Sequence, residues 1–176
     1  MNFADSGLAG AWLVEYEPAR DDRGAFTEQW EREAFGSRGL FTTIDQASCA
    51  YNKAAGTLRG MHFQHAPFEQ AKLVRCSAGS VYDVIVDLRS ASPTFKHWRA
   101  FELHAHEPRA LYIPAGFAHG YLTLRDDTTV DYLISGKYSP ENSHGVRWND
   151  PAFGIRWPAA PTVIAARDAQ FADFTA

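Results

Sequence analysis

KLVRCSAGSVYDVIVDLR, residues 72–89, is the stretch whose reading decides the fold class. Two runs rich in β-branched and aromatic residues, Lys72–Cys76 and Val81–Leu88, flank Ala78-Gly79-Ser80, and runs parted by a glycine turn predict two strands joined as a hairpin. Outward from there, short runs of the same kind recur at Trp98–His104, Ala110–Ile113, Gly120–Leu124 and Thr129–Ile134. Pro108, Pro114-Ala115-Gly116 and Arg125-Asp126-Asp127 separate them. Short strands at such spacing predict an antiparallel sandwich or barrel. Helical text is sparse: Glu28–Phe35 (EQWEREAF) is the best candidate, a short turn near Asp168–Phe174 the next, and both are expected at the periphery.

In an all-β chain of 176 residues, the PxGxxH turn Pro114-Ala115-Gly116-Phe117-Ala118-His119 suggests a cupin-type jelly roll whose ligand sits inside the barrel. The length suits one domain. The expected layout is an N-terminal strand or arm over about residues 1–20, a barrel core over about 40–158 and a C-terminal segment, 159–176. No internal repeat or low-complexity segment is visible.

Composition narrows the function classes. Hydrophobic residues make up 45% of the chain, with twelve Phe, seven Tyr and five Trp, which excludes a disordered chain. A formal charge of −4 carries no basic signature for nucleic acid, so a small-molecule ligand or a protein partner is expected instead. Two cysteines, Cys49 and Cys76, are too few for a secreted disulfide framework. The opening MNFADSGLAGAWLVEYEP has neither a basic start nor a long apolar run, so no signal peptide or membrane span is expected. These features predict a cytoplasmic protein.

The histidines decide between metal and organic chemistry. Cupins often bind a metal through a histidine pair spaced HxH, a later acid and the histidine of the PxGxxH turn. Here the first element reads His62-Phe63-Gln64-His65, so on a regular strand the second ring points to the opposite face. His104-Ala105-His106 has the right spacing, but Glu107-Pro108-Arg109 follows and predicts a solvated strand end. Metal independence is the expectation. An interior presenting His62, Lys72, His119 and Tyr132 would hold the parts for removing a proton beside a carbonyl and stabilising the enolate. Taken alone, His62 reads more readily as a structural histidine than as a base, and Lys72 reads equally well as an edge residue ending in solvent or as one facing a polar cavity.

Longer motifs add a resemblance. Arg23-Gly24 with Phe26 and Glu28, GTLRGMHFQ (56–64), QAKLVRCSAGSVYDVIVDLR (70–89), SPTF (92–95), LYIPAGFAHGY (111–121) and VRWNDPAFGIRWP (146–158) closely resemble the dTDP-4-dehydrorhamnose 3,5-epimerase family over about residues 20–168. The resemblance implies a cupin without metal or cofactor, usually a homodimer, acting on a nucleotide-linked 4-keto-6-deoxyhexose. It implies that His62 is the proton-abstracting base and that Asp168 is the carboxylate pairing with it, an arrangement that fixes the imidazole tautomer. Tyr132 matches the proton donor on the opposite face of the sugar, and Lys72 and His119 match the surroundings of the 4-keto oxygen. Arg59 matches a pyrophosphate contact, and Arg23, Arg167, Glu28 and Gln46 match further nucleotide contacts. The chain departs from the family's pattern twice. Gln46-Ala47-Ser48-Cys49-Ala50 replaces Gln-x-Asn-x-Ser, and Ser143 replaces a frequent Glu, both at matched nucleotide or substrate contacts.

Overall fold

The computed structural model describes residues 1–175; Ala176, the last residue of the expected C-terminal segment, lies outside the described residues. In chain order the strands are β1 (Asn2–Asp5), β2 (Trp12–Glu15), β3 (Ala19–Asp21), β4 (Gly24–Phe26), β5 (Gln46–Asn52), β6 (Thr57–Gln64) and β7 (Ala71–Ala78). They continue as β8 (Ser80–Asp87), β9 (Trp98–His104), β10 (Arg109–Ile113), β11 (Phe117–Thr123), β12 (Thr128–Ser135), β13 (Ser143–Gly145) and β14 (Val163–Ile164). Two short helices, α1 (Arg32–Gly36) and α2 (Ala166–Ala169), complete the set with a 3-10 turn at Pro140–Asn142.

One sheet has the order β1-β2-β10-β7-β12-β5 and the other β13-β6-β11-β8-β9, with β14 pairing β6 in parallel. Among the described residues the two ladders stay separate, so the cupin-type jelly roll is an open sandwich rather than a closed barrel. The hairpin expected over residues 72–89 does not form. β7 pairs with β10 and β12, whereas β8 pairs with β11 and β9 in the opposite sheet. The chain instead turns a corner between sheets at Gly79, whose φ is +72° and where a Cβ would fall 2.2 Å from Thr128 Oγ1. Glycine reaches that conformation without a Cβ penalty and leaves room for the crossing strand.

Strand alternation then sorts the side chains. Val74 and Cys76 of β7, Val81 and Ile85 of β8, Phe117 and Tyr121 of β11 and Val130 of β12 face inward and form the core between the sheets. Lys72, Asp83, His119 and Tyr132 lie two residues from these and share their inward side. Outward residues of the first sheet, Leu73 and Tyr112, pack beneath Phe35 of α1 and Trp30. Those of the second, Val84, Val86 and Ala118, lie beneath Phe153 and Val146.

The helix expected at Glu28–Phe35 starts later. Tyr16 donates its hydroxyl to Gln29 O at 2.9 Å, and Glu31 caps α1 by accepting from the amides of Glu33 and Ala34. The C-terminal turn expected at Asp168–Phe174 is the four-residue α2, which begins two residues earlier.

Candidate active site

A cavity of about 410 Å³ opens between the sheets. Its geometry starts at Gly60. β6 pairs His62 with His119 but Arg59 with Tyr121, so three steps along β6 face two along β11 and the strand bulges. Gly60 has a φ of +142°, and a Cβ there would lie 2.5 Å from the Cα of Gly120. Two glycine backbones in contact allow the bulge, and the bulge turns both Arg59 and His62 into the cavity.

His62 Nε2 lies 2.8 Å from Asp168 Oδ1, and the other carboxylate oxygen accepts the Gly60 amide at 3.0 Å. Burial works against the charge of Asp168, but hydrogen bonds from His62 and Gly60 and the nearby Arg167 outweigh it and hold the carboxyl below its usual range. An ionised carboxylate only accepts, so the neutral imidazole of His62 carries its proton on Nε2 and presents the lone pair of Nδ1. Asp168 is 7% exposed at its side chain while His62 is 39% exposed, which leaves the imidazole as the accessible member of the pair.

From the opposite sheet, Tyr132 of β12 and Lys72 of β7 face the same space. Removal from water pushes the Tyr132 phenol well above its ordinary value, with Tyr121 and Asp83 adding to the effect. The neighbouring Tyr121 hydroxyl donates to Asn52 Oδ1 at 3.3 Å. The same Asn52 oxygen accepts Arg59 Nε at 2.8 Å, so one buried amide fixes both the guanidinium and the Tyr121 phenol. Burial brings Lys72 down to about 8, with Asp83 partly restoring it. His119 is likewise lowered by burial against the opposing pull of Asp83, whose oxygens lie 3.0 and 2.9 Å from its Nε2.

Of the residues expected at the site, Gln46, Arg59, His62, Lys72, His119, Tyr132, Ser143 and Arg167 line the cavity, and Asp168 stands behind His62. Lys72 does not end in solvent, because its side on β7 is that of Val74 and Cys76. Arg167 donates to the carbonyl of Ser143 at 3.0 Å and contacts its hydroxyl at 3.3 Å. Arg23 and Glu28 are not brought to this cavity. Arg23 sits in the exposed β3–β4 ribbon, where it pairs with Asp21, and Glu28 is exposed just beyond it. His65 also points away and packs against His144, with ring centroids 4.4 Å apart.

Sequence reasoning passed over Asp83, Asn52 and Tyr121. For Asp83 a signal existed, since an acid between Val81 and Ile85 on the inward side of an apolar strand needs a partner.

The fold and the site define a cupin-type sugar epimerase. The model of the dTDP-4-dehydrorhamnose 3,5-epimerase family matches residues 5–176. A dTDP-4-dehydrorhamnose 3,5-epimerase from Mycolicibacterium smegmatis is 42% identical over 172 residues, covering 97% of this chain and 84% of that protein. The crystal structure of a Bacillus anthracis dTDP-4-dehydrorhamnose 3,5-epimerase with TDP and PPi bound superposes with a TM-score of 0.94 at 39% identity, covering 98% of this chain and 99% of that one. A dTDP-4-dehydrorhamnose 3-epimerase from Streptomyces niveus is 36% identical, covering 96% of this chain and 81% of that protein. The chain belongs to the dTDP-4-dehydrorhamnose 3,5-epimerase family and is an isomerase acting on a sugar nucleotide.

Proposed function

We propose that this chain inverts carbons 3 and 5 of dTDP-4-dehydro-6-deoxyglucose to give dTDP-4-dehydrorhamnose, through an enolate at each step. The observation that carries this reading is that the His62–Asp168 pair and Tyr132 face one cavity from opposite sheets. Inversion needs two proton-transfer groups on two faces of the sugar ring. His62 Nδ1 takes the proton from the carbon beside the 4-keto group; the C–H pair becomes a C=C bond to the carbonyl carbon as the carbonyl π pair moves onto the keto oxygen. The Lys72 ammonium stabilises the resulting enolate in a partly dehydrated site. Tyr132, held protonated, returns a proton to the same carbon from the other face, and solvent resets both groups. His119 is kept neutral by burial, so the positive charge at the oxygen comes from Lys72, while His119 holds Asp83 in place. Every step is assigned to a side chain of this protein, and no cofactor enters the scheme.

Arg59 and Arg167 bind the diphosphate, for which planar guanidinium groups are suited, and Gln46 and Ser143 flank the nucleotide. Arg23 and Glu28 reach a nucleotide only in a homodimer. An exposed two-stranded ribbon with Phe26 76% exposed supports a role at a second copy's cavity. We assign residues 1–176 to one domain and the protein to the cytoplasm; no helix among the described residues is long and apolar enough to cross a membrane.

The test is incubation with dTDP-4-dehydro-6-deoxyglucose in deuterated water, followed by NMR. Deuterium and inversion at both carbons are expected, and no exchange at either would overturn the reading. The name of the Streptomyces niveus relative favours one alternative, a single-centre epimerase, which exchange and inversion at one carbon alone would select.

A further inference from the structure

On β13 the cross-strand partner of His62 is Gly145, which has no side chain to pack against the imidazole. Phe171, two residues beyond α2, occupies that place. A Cβ on Gly145 would fall 2.3 Å from the Phe171 ring, so the ring lies directly on the glycine. It meets His62 at 5.8 Å between centroids with the planes at 80°, and the Arg167 guanidinium carbon lies 5.6 Å from its centroid. An aromatic ring that fills the space above a strand glycine restores the missing cross-strand contact. Here the neighbour that gains the contact is His62.

We propose that Phe171 is a positioning residue for His62 and Arg167 together, holding the imidazole on Asp168 and the guanidinium toward the diphosphate without touching the reacting atoms. The proposal rests on the assignment of His62 as the base and of Arg167 as a phosphate ligand. The hydrogen bond to Asp168 anchors only one edge of an imidazole that is 39% exposed at its side chain. The Phe171 ring supplies a second restraint, nearly perpendicular to the imidazole plane. Arg167 is held at one end by Ser143 and lies over the Phe171 face, a geometry with cation–π attraction.

The test compares Phe171→Ala and Phe171→Leu with the unaltered enzyme and with His62→Ala. The readouts are kcat, KM, dTDP affinity, melting temperature and the ring-nitrogen NMR shifts of His62. In Phe171→Ala, kcat is expected to fall roughly 10- to 100-fold through misplacement of the base. Its dTDP affinity is expected to weaken about threefold through loss of the aromatic face. The His62 nitrogen shifts should move toward a mixture of tautomers. Leucine restores bulk but no aromatic face, so it should recover kcat and the tautomer but not the dTDP affinity.

A Phe171→Ala enzyme with unchanged kcat and unchanged His62 shifts, whatever its melting temperature, overturns the proposal. If His62→Ala itself turns over normally, the assignment of the base fails instead, which separates the two outcomes.

Discussion

His119 Nε2 lies 3.0 and 2.9 Å from the two oxygens of Asp83, and both side chains are buried. Asp83 also raises the pKa of Lys72 against the effect of burial, so one carboxylate serves two neighbours. In Asp83→Asn that support is lost and Lys72 releases its proton more readily. The alkaline limb of kcat/KM should therefore move to lower pH than in the unaltered enzyme. A limb that stays in place would dissociate Asp83 from the state of Lys72.

The unaltered enzyme should itself lose activity above about pH 8. In the proposed reaction the protonated form of Lys72 stabilises the enolate; burial lowers its pKa to about 8, so the cation is present below that value and lost above it. Lys72→Met is expected to reduce kcat by about 10²–10³-fold. Lys72→Arg stays charged, so whatever activity it retains should lack this alkaline limb. Initial rates across pH for the three proteins make the comparison.

Asp168→Asn removes the charge that fixes the His62 tautomer, and kcat should fall by roughly 10²–10⁴-fold with little change in dTDP affinity. Asp168→Ala carries a further cost, because the buried Gly60 amide loses its acceptor. Urea denaturation should show that variant less stable by about 1–3 kcal/mol.

Gly60→Ala forces a Cβ to within 2.5 Å of the Cα of Gly120 at a backbone angle that suits glycine. The conformational strain alone amounts to about 1–3 kcal/mol, before the backbone clash is counted. A lower melting temperature and loss of turnover are expected together, since relief of the clash redirects Arg59 and His62. A stable, active Gly60→Ala protein would show that the bulge is not what brings the pair to one ligand.

Subunit mixing tests the homodimer. Arg23→Ala and Arg59→Ala proteins should each bind dTDP weakly. A mixed dimer contains one cavity with an intact Arg59 facing an intact Arg23 ribbon from the other subunit. Mixing should restore strong binding at up to one site per dimer, read by titration calorimetry. No recovery after exchange of subunits would place Arg23 outside the site.

Much of this arrangement was legible because strand alternation and family motifs pointed the same way. LRGMH carried both Arg59 and His62, three positions apart and so on opposite faces of a regular strand, and the bulge at Gly60 is what turns them to one cavity. The supposed hairpin at residues 72–89 failed for a physical reason. A glycine between two apolar strands signals a reversal of direction but not which ladder the second strand joins, and that is set by long-range pairing. Arg23 and Glu28 match the family's pattern while lying outside the cavity of their own chain, because a sequence motif carries no information on where in space its residues come to lie. Phe171 left no local signal, since its partner Gly145 is 26 positions away in the chain and is notable only for what it lacks.

The bond from Asp168 Oδ2 to the Gly60 amide spans 108 positions, and Arg167 and Phe171 arrive on the same late segment. The sandwich ladders, apart from the short β14, are built from residues 2–145, whereas the segment that holds His62 docks separately on β6. A molecule whose 166–171 segment is undocked would thus keep the sandwich and its cavity while His62 loses its carboxylate partner.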